Sequence, residues 1–166
     1  WMLNHTERGQ AQTAYQILVS TAPEASAGDQ WDTGRVASSQ SVHVAYAGKA
    51  LESGKTYYWK VRYWDKQNRA SEYSKTARFE MGLLKPADWT GAWIGGGNTL
   101  RKEFRLDAKP VRARAYVAGV GYAELHVNGH KIGDRVLDPA WTTYDKRVLY
   151  ATYDITKYLA AGANAV

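Results

Sequence analysis

The most regular hydrophobic pattern in the chain covers residues 51–65. Every second residue from Tyr57 to Tyr63 is aromatic or aliphatic, whereas Lys60 and Arg62 occupy intervening positions. A period of two is typical of a half-buried strand, and aromatic and β-branched side chains suit a pleated surface. Turn residues flank the stretch on both sides, and residues 71–80 read as a return strand. The pattern therefore predicts a strand in the middle of a sheet.

Shorter alternating stretches surround this strand. We predict strands at residues 13–20 and 41–46 and a short extended piece beginning at Val36. Residues 31–34 read as a turn, because an aspartate hydrogen-bonds nearby backbone and Gly34 can take positive φ. About six short strands without a convincing helix predict an all-β sandwich.

Residues 82–93 interrupt the β pattern. Pro86 and Gly91 break the alternation, and the stretch also contains Trp89 and Trp93. Because flexible linkers are poor in tryptophan, we predict a linker that packs against both neighbouring domains, with the two tryptophans sealing their junction. We therefore expect one domain at residues 1–82, a packed linker at 83–98 and a second domain at 99–166. A sugar platform formed by the two tryptophans is the less favoured alternative.

The second half returns to β periodicity, with strands predicted at residues 99–106, 111–118, 122–127 and 148–153. Asn128-Gly129 predicts a two-residue type I′ hairpin turn, which needs positive φ at both positions. That turn pairs Val127 with His130 and Leu125 with Ile132. Near the end, Thr156 as N-cap and Gly162 as C′ residue predict one helical turn at residues 157–161.

Composition narrows the function classes. The 166 residues are 45% hydrophobic and 13% aromatic, with 7 Trp and 12 Tyr but only 2 Phe. The net charge of +6 is dispersed, with no basic block or nucleic-acid motif, so we expect no nucleic-acid partner. No apolar run approaches a membrane span, so no membrane partner is expected. The absence of cysteine leaves the compartment open between secreted, periplasmic and cytoplasmic.

Neither catalytic nor metal chemistry stands out. Glycoside hydrolysis needs two carboxyl groups facing each other across the bond, whereas the 16 acidic residues are scattered over turns and strand ends. His126 and His130 lie on opposite faces of the predicted hairpin, which disfavours a shared transition-metal site. The glycines at 119 and 121 lack the spacing of a phosphate loop.

The best binding candidates follow the Asn128-Gly129 turn. Aromatic rings pack against the C–H patches of sugars, and amide or carboxylate groups bind the hydroxyls. We expect no cofactor, and the alternative is that the acidic loop oxygens of the second domain hold a calcium ion, which binds oxygen ligands. The competing interpretation is that Asn128 serves the turn and Trp141 plugs the end of the sandwich. The candidate carbohydrate-binding residues are Asn128, Asp134, Asp138, Trp141, Tyr144 and Asp145.

Five strings, in order along nearly the whole chain, resemble the N-terminal β-domains of bacterial α-L-rhamnosidases of glycoside hydrolase family 78. They are QTAYQILVS, WDTGRV, YYWKVRYWD, FEMGLL with DWTGAWIG, and the stretch from GVGYAELHVNG to the final NAV. The resemblance implies a fibronectin type III-like sandwich lacking its first strand, with Tyr57 as its corner tyrosine. It implies next the first part of a jelly-roll sandwich of the galactose-binding type.

The resemblance also implies a function. In such enzymes the catalytic domain is an (α/α)₆ barrel far downstream, so no catalytic residue is expected in this chain. We expect a non-catalytic accessory region that braces its own downstream catalytic domain and helps hold a rhamnose-containing glycan, within a parent that hydrolyses terminal α-L-rhamnosides. The alternatives are a free-standing carbohydrate-binding module, with its site at residues 141–145, and a structural or adhesive β-sandwich protein.

Overall fold

The computed structural model describes all 166 residues and confirms an all-β protein. Ten strands and two short 3₁₀ turns make up its regular structure. The chain divides into two compact units, Trp1–Gly91 and Ala92–Val166. The structure contains no helix with the length and apolarity needed to cross a membrane.

The first unit is built on one antiparallel sheet of four strands with the order β2-β1-β3-β4. The long strand β3 hydrogen-bonds to β1 on one side and β4 on the other, so the prediction of a central strand is confirmed. The strands are β1 Ala14–Ser20, β2 Trp31–Asp32, β3 Thr56–Trp64 and β4 Ala77–Glu80.

Register places the apolar positions of β1 and β3 on one face of the sheet. Ile17 pairs with Val61 and Val19 pairs with Trp59. Because side chains alternate across a strand, every second residue of both strands points into one layer. The buried core of the unit is Tyr15, Ile17, Val19, Tyr57 and Val61.

The strand predicted at residues 41–46 does not form. The stretch has the alternation of a strand but no hydrogen-bonded ladder with a neighbour. His43 takes φ 53°, outside extended geometry, and the Gln40 side chain donates to the carbonyls of Val42 and His43. An apolar cavity of about 600 Å³ lies between this segment and the sheet.

Two further predictions in the first unit are corrected. The return strand is shorter than expected and begins at Ala77, because the serines at 71 and 74 join β3 by isolated backbone bonds. Residues 31–34 include the strand β2 as well as the turn at Gly34, whose φ is 60°.

The stretch after β4 is attached to the first unit. A 3₁₀ turn spans Pro86–Asp88, and its Asp88 carboxylate accepts a hydrogen bond from the Ser53 hydroxyl. The Ser53 hydroxyl also accepts from the backbone N–H of Leu84 at 2.8 Å. Trp93 is 65% exposed, and the expectation that the two tryptophans seal the junction of the domains stays a prediction. The domain bounds predicted from the sequence remain a prediction.

The second unit contains three two-stranded antiparallel ladders, β5–β10, β6–β9 and β7–β8. Its buried core is Val127, Ile132, Ala151, Tyr153 and Leu159. The strands are β5 Glu103–Leu106, β6 Arg114–Ala118, β7 His126–Val127, β8 His130–Lys131, β9 Tyr150–Asp154 and β10 Gly162–Ala165.

The predicted hairpin turn is confirmed. Asn128 and Gly129 have φ of 49° and 81°, the positive values that a type I′ turn needs. Val127 pairs with His130, and Ile132 N–H donates to the Leu125 carbonyl at 2.8 Å. The register inferred from the aliphatic positions is therefore the observed one.

The helical turn near the end differs from the prediction. It is a 3₁₀ turn at Thr156–Tyr158, and Gly162, with φ 89°, begins β10. Thr156 is inside the turn instead of capping it, since its hydroxyl bonds to the backbone of Ala113. Ile155 is the N-cap residue and provides no side-chain capping bond, while Asp154 Oδ1 accepts from the Thr156 backbone N–H at 3.0 Å.

Candidate functional site

A stacked pair of exposed aromatic rings lies on the surface of the second unit. The ring centres of Tyr122 and Trp141 are 5.3 Å apart, and the ring planes meet at 21°. Tyr122 is 51% exposed and Trp141 is 67% exposed. Trp141 therefore does not plug the end of a sandwich core. We call these two rings the aromatic platform.

Two hydrogen bonds join the loops that carry the aromatic platform. The Tyr144 hydroxyl accepts from the Gly121 backbone N–H at 2.9 Å, and Ala123 N–H donates to the Asp138 carbonyl at 2.9 Å. Each bond connects a neighbour of Tyr122 to the loop that carries Trp141. The stacking of the rings is thus supported by the backbone on both sides.

Asp138 ties the platform loop to the core. Its carboxylate accepts from the Tyr153 hydroxyl at 2.8 Å and lies 3.5 Å from Arg135 Nη1. Arg135 also lies 5.5 Å from the centre of the Tyr153 ring. Burial raises the pKa of Tyr153, and the Asp138 carboxylate raises it further. The tyrosine therefore stays a neutral donor, and Asp138 is engaged in fixing the loop.

The Asn128 side chain forms hydrogen bonds within the second unit. Its Nδ2 donates to the Tyr158 carbonyl at 2.8 Å and to Asn164 Oδ1 at 2.9 Å, while its Oδ1 accepts from Ala165 N at 2.8 Å. Asn164 is itself only 3% exposed. These contacts join the hairpin turn to the C-terminal strand, in addition to the turn conformation that the competing interpretation assigned to Asn128.

The remaining acidic candidates are exposed. Asp134 and Asp145 have no recorded protein partner. The structure brings together no group of three or more His, Cys, Asp or Glu side chains able to hold a metal ion. Of the six predicted residues, Asp138, Trp141 and Tyr144 thus belong to one arrangement, and Asn128 belongs to another.

The two histidines of the hairpin lie as expected from its register. His126 pairs with Lys131 and His130 pairs with Val127, so their side chains point to opposite faces. Glu124 lies 3.7 Å from His126 Nε2 and accepts a hydrogen bond from Lys131. Contacts with Lys131 and then His126 lower the pKa of Glu124, which indicates an ordinary surface ion pair.

Tyr122 is the site residue that sequence reasoning missed. It opens a stretch whose alternation predicts a strand, yet the strand itself begins only at His126. Exposed aliphatic residues accompany the aromatic platform on the same two loops. They are Val120, Val136 and Leu137, each at least 65% exposed. No sequence signal distinguishes these positions from core residues.

A polar pocket of about 240 Å³ in the first unit offers titratable groups, but they serve the fold. Asp65 is buried and accepts from the N–H groups of Gln67 and Arg69 and from Arg69 Nε at 2.7 Å. Burial alone would raise the pKa of Asp65, but these hydrogen bonds hold it below its ordinary value. Glu7 lies 3.5 Å from Arg69 and His5 lies 3.9 Å from Asp65, and both residues line the pocket.

Comparison with known proteins places both halves of the chain. Residues 1–85 match the family described as Rha78A-like, N-terminal immunoglobulin domain. Residues 108–166 match the family described as α-L-rhamnosidase N-terminal domain.

Individual proteins similar to this chain are also α-L-rhamnosidases. The chain is 36% identical to an α-L-rhamnosidase of Formosa agariphila over 199 aligned residues, which include all of this chain and 21% of that protein. The structure of α-L-rhamnosidase from Dictyoglumus thermophilum matches 99% of this chain and 21% of its own, with a TM-score of 0.93 and 42% identity. The structure of α-L-rhamnosidase from Aspergillus terreus matches 98% of this chain and 20% of its own length, with a TM-score of 0.76 and 31% identity.

The chain spans about a fifth of the length of these relatives. Both family matches and the solved structures confirm the resemblance seen in the sequence. The chain therefore belongs to the family of α-L-rhamnosidase N-terminal regions, in which a Rha78A-like immunoglobulin domain precedes an α-L-rhamnosidase N-terminal domain.

Proposed function

We propose that the chain is the non-catalytic accessory region of an α-L-rhamnosidase whose remaining domains hydrolyse terminal α-L-rhamnosides. In this role the second unit binds the rhamnose-containing glycan through the aromatic platform. The observation that carries the binding proposal is the exposed stack of Tyr122 and Trp141 on loops joined by hydrogen bonds.

The physical reason lies in the chemistry of sugars. A deoxy sugar such as rhamnose has a methyl group and C–H faces that pack against an aromatic ring, and hydroxyl groups that need polar partners. Trp141 and Tyr122 present large apolar area at little cost in side-chain entropy, because each ring turns about only two χ angles. Asp134 and Asp145 are exposed on the Trp141 loop and supply free carboxylates for hydroxyl groups.

Titration of the chain with L-rhamnose and with a rhamnose-containing oligosaccharide, followed by tryptophan fluorescence and by heat, tests this proposal. We expect a saturable signal that Trp141→Ala and Tyr122→Ala abolish. Trp93→Ala removes another exposed indole and serves as the matched control, which should leave the affinity unchanged. Identical titrations of wild type and Trp141→Ala would show that the platform is not the site.

The aliphatic residues beside the platform favour a second role, which is bracing the downstream catalytic domain. Val120, Val136 and Leu137 are exposed together with the rings. Exposed apolar side chains on two joined loops favour a protein-binding face. The bracing surface and the sugar platform are therefore separable by residue type.

Mixing the chain with the separately expressed remainder of the parent protein tests the bracing role. We expect the remainder to unfold at a higher temperature in the presence of the wild-type chain. The double variant Val136→Asp/Leu137→Asp should lose this effect, because a charge on the docking face must be desolvated. An equal effect of wild type and double variant would exclude this surface as the brace.

A further inference from the structure

Five side chains form a continuous row on the first unit's sheet, on the face opposite its core. Lys60 Nζ lies 5.0 Å from the centre of the Tyr73 ring, and the Arg62 guanidinium lies 4.8 Å from the same centre. Arg62 and Arg35 each lie 5.0 Å from the Trp64 ring. Cations and rings thus alternate along what we call the cationic stripe, which consists of Lys60, Tyr73, Arg62, Trp64 and Arg35.

No carboxylate forms an ion pair with the three cations of the stripe. Lys60 donates only to the backbone carbonyl of Glu24, at 3.3 Å. Arg62 donates through Nε and Nη2 to Gln16 Oε1 at 2.9 and 2.7 Å, and its Nη1 has no protein acceptor. Three positive charges therefore lie in a row without an ion-pair partner, and the carboxylate of Asp32 is connected to Arg62 only through the Gln16 amide.

The polar neighbours orient the guanidinium groups. Gln16 Nε2 donates to Asp32 Oδ1 at 2.7 Å, which fixes the amide that Arg62 contacts. Arg35 donates through Nη2 to the side chain of Asn68, so its Nε and Nη1 groups lack protein acceptors. Guanidinium groups held in this way lose less entropy when they bind an anion.

The rings of the stripe differ from those of the aromatic platform. Trp64 and Tyr73 each have two cations within 5.0 Å of the ring centre, so the rings serve to hold the cations. The ligand of this surface is therefore recognised by its charge, and ring stacking of a neutral sugar is secondary here.

We propose that the cationic stripe binds an acidic polysaccharide that carries carboxylate or sulfate groups at intervals along its chain. Lys60 and Arg62 are two residues apart on one strand, which separates their backbone positions by about 7 Å along a line. A linear array of cations fits a polymer with recurring charges better than it fits one small anion. The guanidinium groups of Arg35 and Arg62 bind such groups through paired hydrogen bonds.

The assignment of a glycan, instead of an acidic protein, as the ligand rests on the proposed function. The preference of the stripe for an anionic ligand follows from its charge alone. Polygalacturonate contains no rhamnose and therefore tests the stripe independently of the aromatic platform. If rhamnose binding fails and polygalacturonate binding succeeds, only the platform proposal is lost. The reverse result removes the stripe proposal alone.

Affinity electrophoresis and calorimetry with polygalacturonate, dextran sulfate and neutral dextran provide the test. We expect the wild-type chain to bind the two anionic polymers, more weakly at higher salt, and not to bind dextran. Arg35→Gln/Arg62→Gln should weaken binding about tenfold, and Lys60→Gln should weaken it less. Far-ultraviolet circular dichroism checks that each variant is folded.

The matched control is Arg105→Gln/Lys109→Gln, which removes the same net charge at exposed positions of the second unit. Retention of wild-type affinity by this control supports a specific role for the stripe. Equal losses in the two double variants would show a non-specific charge effect and overturn the proposal. Binding of polyglutamate but not of polygalacturonate would overturn the assignment to a glycan.

Discussion

The Tyr57 hydroxyl accepts a hydrogen bond from the Glu52 backbone N–H at 2.9 Å. Tyr57 is fully buried, and its ring stacks on Phe79 with centres 5.6 Å apart. A tyrosine near the start of a strand that bonds backwards to the preceding loop is the corner tyrosine of immunoglobulin-like sandwiches. The bond fixes the approach to β3, the central strand of the sheet, and confirms the role expected of Tyr57 from the sequence.

Tyr57→Phe tests the contribution of this hydrogen bond to stability. The substitution keeps the buried ring but leaves the Glu52 N–H without its acceptor, so we expect a loss of about 1–2 kcal/mol in the free energy of unfolding. Tyr58→Phe is the matched control, because no partner of its hydroxyl is recorded, and it should change stability by less than about 0.5 kcal/mol. Chemical denaturation measures both, and equal losses would contradict the assignment.

Asn128→Gly separates two roles of the hairpin residue. Glycine keeps the positive φ of the turn but lacks the amide that bonds Tyr158, Asn164 and Ala165. We expect the second unit to lose about 1–3 kcal/mol of unfolding free energy, because buried polar groups of Asn164 lose a partner. Asn98→Gly on the exposed surface is the control. An unchanged free energy of unfolding in Asn128→Gly would mean that Asn128 stabilises the second unit only through the turn conformation.

Asp29 gives the first unit a defined acid sensitivity. A hydrogen bond from the Thr21 hydroxyl, at 2.8 Å, is the main reason why the pKa of Asp29 falls to about 2. Because this pKa lies below the unfolded value near ~4, the stabilisation is fully present above pH ~4 and is lost as the pH falls towards 2.

Asp29→Asn tests this pH dependence. We expect the variant to be less stable than wild type at pH 6, with a difference that shrinks continuously between pH ~4 and pH ~2. Denaturant unfolding at a series of pH values measures the difference. Asp107→Asn, at an exposed position without a recorded partner, is the control and should show no such trend. A difference that is independent of pH would contradict the role of Asp29.

Local chemistry explains what the sequence predicts correctly. The alternation around Val61 requires one buried face, and the turn at Asn128-Gly129 requires positive φ, so both features are encoded within a few residues. The same reasoning fails at residues 41–46, because a ladder also needs a partner strand with free hydrogen-bonding groups. It fails again at Thr156, whose hydroxyl bonds to the distant Ala113 instead of capping the turn.

The candidate site is only partly readable from the sequence, for a physical reason. Trp141 and Tyr144 are visible as loop aromatics, but whether a ring plugs a core or faces solvent depends on tertiary packing. Tyr122 was hidden within an apparent strand, and its contact with Trp141 joins residues that are far apart in the chain. The role of Asn128 depends similarly on the C-terminal strand β10, which periodicity alone does not place beside the hairpin.

Release of the chromophore from a chromogenic α-L-rhamnoside, measured for this chain and for the full-length parent protein, tests the non-catalytic accessory role. We expect hydrolysis by the parent and none by the chain, because the chain corresponds to about the N-terminal fifth of rhamnosidase relatives. Turnover that co-purifies with the isolated chain would contradict a non-catalytic accessory role. A full-length parent that releases no rhamnose would contradict the proposed activity.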